Sequence, residues 1–303
     1  MIRGAGRLAA LAFLSLAGPG LAQQPTEAPR EPPSGADTPA WSLSSGRTVS
    51  LFPPGEVYPV YIADPHKPES AAIGLFYTRT TIVETDDVRI GLKAGGRFGI
   101  LRLTPATPEG RSWQLSVDAG LDAQFDSRNK LDNIGWDGNY GLTLTTATDG
   151  PLSLKVGLLH CSAHVGDEYA ERTGRQRLDY TRVELAFGLA LRLFRGSRVY
   201  AEGGYGLSLL TEEQRRWRAQ GGLEYVSSRK LLGGRLAWYA ALDIQIWDER
   251  NWRRDLAAQA GVTTTSGGRR WRLGLRYDYA RPPLGEFFQD TEGSFAIGVW
   301  MDL

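Results

Sequence analysis

Cysteine is almost absent from this sequence of 303 residues, which contains a single one, Cys161. One cysteine cannot form a disulfide within the chain, so a disulfide-stapled secreted domain is excluded. An excess of charge of one sign is also lacking, because 35 basic residues stand against 34 acidic ones. Without a concentrated basic surface, no nucleic-acid partner is expected.

Long apolar runs are missing as well, although 42% of the residues are hydrophobic. The apolar segment 8–17 is too short for a membrane-spanning helix, which requires roughly 20 residues. It follows Arg3 and Arg7 and is followed by small residues up to Ala22, which is the order found in secretory signal peptides. We therefore expect residues 1–22 to be a cleaved signal peptide that exports the chain in a Gram-negative bacterium.

The segment behind the predicted cleavage site is rich in proline, with Glu, Ser, Gly and Asp between the prolines. Such a composition buries too little apolar surface to become ordered, so residues 23–50 are predicted to be a flexible tether. The tether would start with Gln23 rather than with a cysteine. A lipoprotein anchor is therefore not expected.

From about residue 70 onward, apolar and polar residues alternate with a period of two. Between Trp113 and Phe125, for example, the odd positions are apolar and the even positions are polar or small. A period of two places successive side chains on opposite faces of a β-strand. The pattern predicts about twelve strands near residues 71–80, 87–104, 111–126, 137–148, 152–164, 178–194, 197–210, 215–228, 234–248, 253–266, 269–280 and 292–303.

Strand length and connections favour a membrane barrel over a soluble β-sandwich. Many of the predicted strands exceed the roughly 9–11 residues that cross a membrane at a tilt, whereas sandwich strands are typically shorter. Short connections such as TDGP, RGS and SGGR alternate with long ones such as VGDEYAERTGRQR and DSRNKLDNIGWDGN. An even number of strands with short turns at one end and long loops at the other is typical of outer-membrane barrels. The predicted fold is an all-β, transmembrane, antiparallel up-and-down β-barrel.

Residues 51–303 are predicted to form this barrel, with residues 51–70 as a short periplasmic lead-in and His66 as a solvated loop residue. The apolar phase faces lipid and the charged phase faces the lumen, which ion pairs would largely fill. The end of the last strand resembles the signal that the barrel-assembly machinery reads, with Leu303 in place of an aromatic residue. The predicted inward charges are Asp118, Asp122, Lys155, Arg182, Glu184, Arg192, Glu202, Arg218, Glu224, Asp243, Arg272 and Asp278.

Three segments resemble the domain-of-unknown-function family 1207: EVYPVYIADPHKPES at 56–70, LLHCSAHVGDEY at 158–169 and RLDYTRVEL at 177–185. The resemblance covers roughly residues 50–303. It implies an outer-membrane barrel and no established activity.

One constellation on the predicted fifth strand is able to carry chemistry. His160, Ser162 and His164 continue the lipid-facing phase, at the end where the strand runs into a long loop. Asp179 shares the outward phase of the next strand. A serine needs a base within hydrogen-bond reach and a third group that orients the base. Such a set facing the outer leaflet is placed to attack a lipid ester.

This arrangement resembles outer-membrane phospholipase A and lipid A 3-O-deacylase, which are barrels with an H-x-S pair exposed to lipid. The resemblance implies His160 as the base, Ser162 as the nucleophile and Asp179 as the orienting residue. His164, on the same face, is a candidate substrate-binding residue. In the phospholipase calcium assists, which would make Asp167 and Glu168 candidate ligands. The sequence departs from those enzymes at Ala163, where they have asparagine.

Two functions follow from these patterns. The first is a structural or narrow-pore transport barrel that needs no cofactor. The second is a lipid-directed serine hydrolase. Polar residues near a membrane interface reduce the stability of a barrel only slightly, so their presence there is weak support for a catalytic role. Outer-membrane lipids and lipopolysaccharide are the expected partners in both cases. Cys161 falls in the lumen-facing phase and is interpreted as a packing residue.

Overall fold

The computed structural model describes residues 39–107, 109–148 and 150–302. The predicted signal peptide lies outside the described residues, as does the predicted tether up to position 38. Within the described ranges, the strands are β1 (Ala40–Ser42), β2 (Thr48–Leu51), β3 (Ser70–Thr80), β4 (Val88–Thr104), β5 (Ser112–Asp126), β6 (Asp132–Ala147), β7 (Leu152–Val165), β8 (Thr181–Arg192), β9 (Ser197–Leu209), β10 (Trp217–Leu231), β11 (Leu236–Trp247), β12 (Arg254–Ser266), β13 (Arg269–Ala280) and β14 (Glu292–Asp302). A short helix, α1 (Asp167–Thr173), follows β7. None of the helices in these ranges is long and apolar enough to cross a membrane.

Strands β3 to β14 close into a barrel of twelve strands. Each pairs antiparallel with the next, and β14 returns to β3 through a register that includes Ile297↔Gly74. Closure gives every strand two neighbours, as a sheet inside hydrocarbon requires. The predicted strand number and topology are therefore confirmed. The short turns lie at the end that carries both Ser70 and Asp302, where Gly267 and Gly268, both with positive φ, form the tight β12–β13 turn.

The two faces of the wall differ as the alternation predicts. On β5, Leu121 is exposed on the outside, whereas the neighbouring Asp122 is buried inside. Many buried charges in the lumen are paired, for example Arg97 with Asp118 at 2.7 Å and Lys93 with Asp122 at 2.8 Å. Larger groups occur too, because Arg218 bonds both Glu184 and Glu202. The inward-facing charges therefore form ion pairs, while the lumen also holds a further segment of the chain.

One of the predicted inward charges is placed differently. Arg192 is exposed at the last residue of β8, where its guanidinium donates to the carbonyl of Gly150 in the turn before β7. The alternation assigns Arg192 to the correct face of β8, but the last residue of this strand lies beyond the buried part of the lumen. Strand β6 also starts earlier than predicted, at Asp132, so the β5–β6 loop is limited to residues 127–131. The prediction of a long loop there was wrong, because residues 132, 133, 135 and 136 already pair with β5, and residues 135 and 136 also pair with β7.

Residues 39–50 are ordered, which corrects the predicted tether. Strands β1 and β2 form a hairpin, and β2 extends the sheet by pairing with the end of β4, at Thr48↔Thr104 for example. Backbone pairing offsets the poor apolar content of this segment. Apolar content alone does not reveal such pairing.

Residues 52–69, which we call the plug, turn into the barrel after the exposed Phe52 and then run inside it, not in the periplasm as predicted. Tyr58, Tyr61 and Ile62 of the plug are almost completely buried. Lumen side chains bind its backbone: Arg198 donates to the carbonyls of Pro59 and Val60 at 2.7 and 3.0 Å. The prediction failed because the partners of the plug are scattered over many strands. Among the described residues, the wall side chains that bond plug backbone are those of Lys93, Arg97, Arg102, Gln114, Arg198, Glu224 and Arg272.

Residues 281–291, which we call the lid, cover the opposite end of the barrel. Leu284 and Phe287 pack with Ile134 and with Tyr169 of α1 in a buried cluster. The carboxylate of Glu286 accepts backbone N–H groups from Leu178 and Tyr180. The long loops at this end therefore form a packed cover over the lumen.

Candidate functional site

The outer face of β7 carries the three polar residues that the sequence singled out. Tyr140 and Trp136 on β6, the cross-strand partners of His160 and His164, are both exposed to the outside. The rings of Tyr140 and His160 stack at 4.3 Å, and those of Trp136 and His164 lie 4.2 Å apart. Each imidazole is thus held against an aromatic ring on the neighbouring strand.

The structure pairs Ser162 with His164. The Ser162 hydroxyl lies 3.1 Å from Nε2 of His164, a hydrogen bond between residues two apart on one strand face. For His160, the structure gives the stack on Tyr140 and no hydrogen bond to Ser162 among the described residues. If this serine has a base, its position favours His164 over His160, which reverses the roles that the resemblance implied.

Asp179 is not part of this contact. The β7–β8 ladder ends at Ser162↔Thr181, followed by one more bond from the Ala163 N–H to the carbonyl of Tyr180. Asp179 comes next with φ of 53°, exposed, and it makes no hydrogen bond or ion pair with the described part of the chain. The structure brings together Ser162 and His164 alone, and the catalytic role of the predicted trio stays a prediction.

The candidate calcium ligands do not form a metal-binding set. Asp167 and Glu168 are exposed in the first turn of α1, and Asp167 is paired with Arg177. Successive helical residues point about 100° apart, so the two carboxylates diverge. Over the described ranges, no group of three or more histidine, cysteine, aspartate or glutamate residues is arranged to hold a metal. These donors do not fit calcium.

A second candidate site, which the sequence did not predict, lies inside the barrel. A cavity of about 140 Å³ separates the plug from the lid. His66 borders it with its ring edge-on to Trp247 at 6.0 Å, so the prediction of a solvated loop residue was wrong. Burial, together with nearby cations such as Arg281 and Lys93, holds the pKa of His66 well below its usual value.

The wall of this cavity on the β6–β7 side is polar. Asp137 accepts the backbone N–H of Gly285 in the lid at 2.9 Å, and Cys161 donates its thiol to the same oxygen at 3.8 Å. Cys161 faces the lumen, in agreement with its predicted phase. Asp137 falls in the same phase as Asn139, and this parity was the signal available in the sequence. It was missed because Asp137 also lies in the segment DSRNKLDNIGWDGN, which was predicted to be a long loop.

Comparison with known proteins agrees with this architecture. The family described as "Protein of unknown function (DUF1207)" matches residues 21–301. Comparison with curated proteins finds no match. The calcium-bound dimer of outer membrane phospholipase (OMPLA) from Salmonella typhi has a TM-score of 0.53 at 10% identity, covering 82% of this chain and 94% of that chain. Outer membrane phospholipase A from Escherichia coli gives 0.50 at 12% identity with the same coverage. At these identities the likeness shows the fold, an outer-membrane β-barrel.

Proposed function

This chain belongs to DUF1207, a family of proteins of unknown function, and we propose that it is a transport barrel closed at rest by its own plug. The observation that carries the proposal is that residues 52–69 lie within the lumen, bound by charged side chains of the wall. A narrow passage for small polar solutes would open when the plug moves.

The contacts of the plug suit a removable element. Several of them are hydrogen bonds to its backbone, such as that from Lys93 Nζ to the carbonyl of Pro65 at 2.6 Å. Water can replace polar bonds of this kind, since each contributes only about 1 kcal/mol net in a typical case. The plug also ends directly at β3, which starts at Ser70. A movement of the plug therefore requires no break in the wall.

Planar-bilayer recording of the refolded protein tests this function. We expect the wild type to be mostly closed, and the double variant Arg198→Ala/Arg272→Ala to open often, because both arginines hold plug carbonyls. Arg128→Ala, at an exposed arginine of the β5–β6 loop, serves as the control. Steady porin-like conductance in the wild type would contradict a closed resting state. Plug variants that fold and never conduct would leave only a structural barrel.

A second candidate function rests on the bond between Ser162 and His164. A serine hydroxyl next to an imidazole on the lipid-facing wall is the arrangement needed to attack a lipid ester. Lipids of the outer leaflet, including lipopolysaccharide, would be the substrates. Asp179 is exposed and has no partner in the described residues, so it does not orient the imidazole of His164, which packs on Trp136 instead. This hydrolase function is therefore placed second.

Export and assembly complete the proposal. The arginines and apolar run of residues 1–22 support a cleaved signal peptide, and the alternating last strand supports assembly by the barrel-assembly machinery of a Gram-negative bacterium. N-terminal sequencing of the protein isolated from outer membranes checks the first point. A mature chain that starts at Gln23 is expected, whereas retention of Met1 would contradict it.

A further inference from the structure

The cavity between plug and lid contains a buried carboxyl group with an unused oxygen. Asp137 is only 3% exposed. Its Oδ2 accepts the bonds from Gly285 and Cys161, whereas its Oδ1 makes no hydrogen bond with any described residue. No cationic side chain in the described ranges lies within ion-pair distance of it.

Most other acids that border the cavity are paired with a cation, and Asp64, which is not, accepts hydrogen bonds from the His66 N–H and from Gln245. Asp118 is paired with Arg97, and Glu202 with both Lys155 and Arg218. A buried carboxylate without a cation is costly, since charges are normally buried only when they are paired. Asp137 is thus a position where a cation from outside the chain would replace a missing partner.

A second unused group belongs to a residue that borders the same cavity. Arg281 of the lid borders it, and its Nε–H makes no hydrogen bond with the described residues. The rest of its guanidinium is engaged, through a bond to Glu249 and a position 4.2 Å from the centre of the Trp247 ring. A ligand atom that accepts a hydrogen bond would satisfy this donor.

The remaining lining fits a small polar molecule. Asn139 borders the cavity, and its side-chain amide makes no hydrogen bond with the described part of the chain. The rings of Tyr61 and Trp247 supply aromatic surface. The cavity of about 140 Å³ exceeds several-fold the roughly 30 Å³ share of one liquid water. A molecule with few non-hydrogen atoms therefore fits.

From these contacts we propose that the lumen binds a small amine that also carries an oxygen acceptor, such as an amino acid or an amino alcohol. Its ammonium group donates to Oδ1 of Asp137, and its oxygen accepts from Nε of Arg281. Because Asp137 also holds Gly285, the bound molecule lies directly beneath the lid. This binding site does not depend on whether the plug opens.

Equilibrium dialysis of the refolded, detergent-solubilised chain tests the proposal with three probes: isotope-labelled glycine, ethanolamine and ethylene glycol. We expect at least one of the two amines to bind saturably and ethylene glycol, which lacks an ammonium group, not to bind. Preference for glycine identifies a carboxylate as the acceptor, and preference for ethanolamine a hydroxyl. Asp137→Asn should weaken binding about tenfold or more, because a bond to a charged group is lost.

Asp167→Asn is the matched control, since it removes a carboxylate that is exposed on α1, and it should leave binding unchanged. Asn139→Leu is the second variant. This variant keeps Asp137 but fills the cavity with a branched apolar side chain, so it should also weaken binding. It tests the proposal if Asp137→Asn does not fold. Failure of both amines to bind the wild type overturns the proposal, because the cavity then holds solvent only. Equal binding of ethylene glycol, or full binding in folded Asp137→Asn, overturns it as well.

Discussion

The ring of Tyr61 in the plug stacks on that of Tyr200 in β9, with the ring centroids 3.8 Å apart and the planes 8° from parallel. The Tyr61 hydroxyl is bonded to Tyr58 and donates to Glu202 at 2.8 Å. One side chain thus joins the plug to the wall by a stack, an ion-pair network and a second plug residue.

Tyr61→Ala should therefore destabilise the folded barrel by about 3 kcal/mol or more, the usual cost of removing a buried aromatic ring. Urea unfolding in lipid vesicles, followed by tryptophan fluorescence, measures the loss. Tyr279→Ala is the control, because Tyr279 lies on the outer wall and is 40% exposed, and it should cost clearly less. Equal losses in the two variants would argue against a plug that stabilises the barrel.

Docking of the plug should weaken as pH rises. Burial is the main reason that the pKa of Glu56 is raised from 4.5 to about 7, against the opposing effects of Arg97 and the bond from Ser116. A raised pKa means that the docked plug holds a proton that the free segment releases, so the stabilisation is complete below 4.5 and lost as pH rises through about 7. Limited proteolysis of the plug should be slower at pH 5 than at pH 8.

Glu56→Gln should remove most of this pH dependence, because glutamine keeps the shape of the protonated side chain and does not titrate. The protease should cleave the plug of this variant at similar rates at pH 5 and at pH 8. A wild-type plug that is cleaved equally fast at pH 5 and pH 8 would rule out this role of Glu56.

The lipid-facing parity predicts a high cost for charge on the outer wall. Leu275 lies in the middle of β13 and is 64% exposed to the outside. Leu275→Arg should cost about 2–4 kcal/mol, as for arginine at the centre of the bilayer. Val83→Arg, in the exposed β3–β4 loop, should change the unfolding free energy by no more than about 0.5 kcal/mol. Similar values for both variants would mean that this wall does not face lipid.

Alanine variants separate the two histidines of the candidate hydrolase. If Ser162 acts with the base that it contacts, Ser162→Ala and His164→Ala should abolish acyl release from phospholipid or lipid A vesicles. His160→Ala should keep most of the activity, because the His160 ring stacks on Tyr140. Heat-modifiable migration on gels confirms folding of each variant. Wild-type hydrolysis that survives in both Ser162→Ala and His164→Ala would exclude the pair from catalysis.

The parts of the structure that were predictable from sequence are those set by local alternation. Parity along β5 separates Leu121 from Asp122 without any knowledge of neighbouring strands. The same parity puts Ser162 and His164 on one face, but the partner of the serine also depends on Trp136 and Tyr140 of β6, which hold the two imidazoles. Such cross-strand contacts depend on register, which the alternation does not fix.

The plug was beyond prediction for a related reason. Residues 52–69 show no alternation of apolar and polar side chains, and their hydrogen-bond partners range along the chain from Lys93 to Arg272. Only the closed ring brings these residues together. The cavity beside the plug, with Asp137 in its wall, was missed with it, because an inner surface exists only once the barrel and its contents are both in place.

The plug also links strands that never touch each other in the sheet. Its bonds reach β4 through Arg97, β9 through Arg198 and β13 through Arg272, which lie far apart around the circumference. A barrel without a plug transmits force only between neighbouring strands, whereas the plug couples opposite sides of the barrel directly. A chain with its plug detached would therefore be expected to lose cooperativity, with the two halves of the cylinder melting in separate steps.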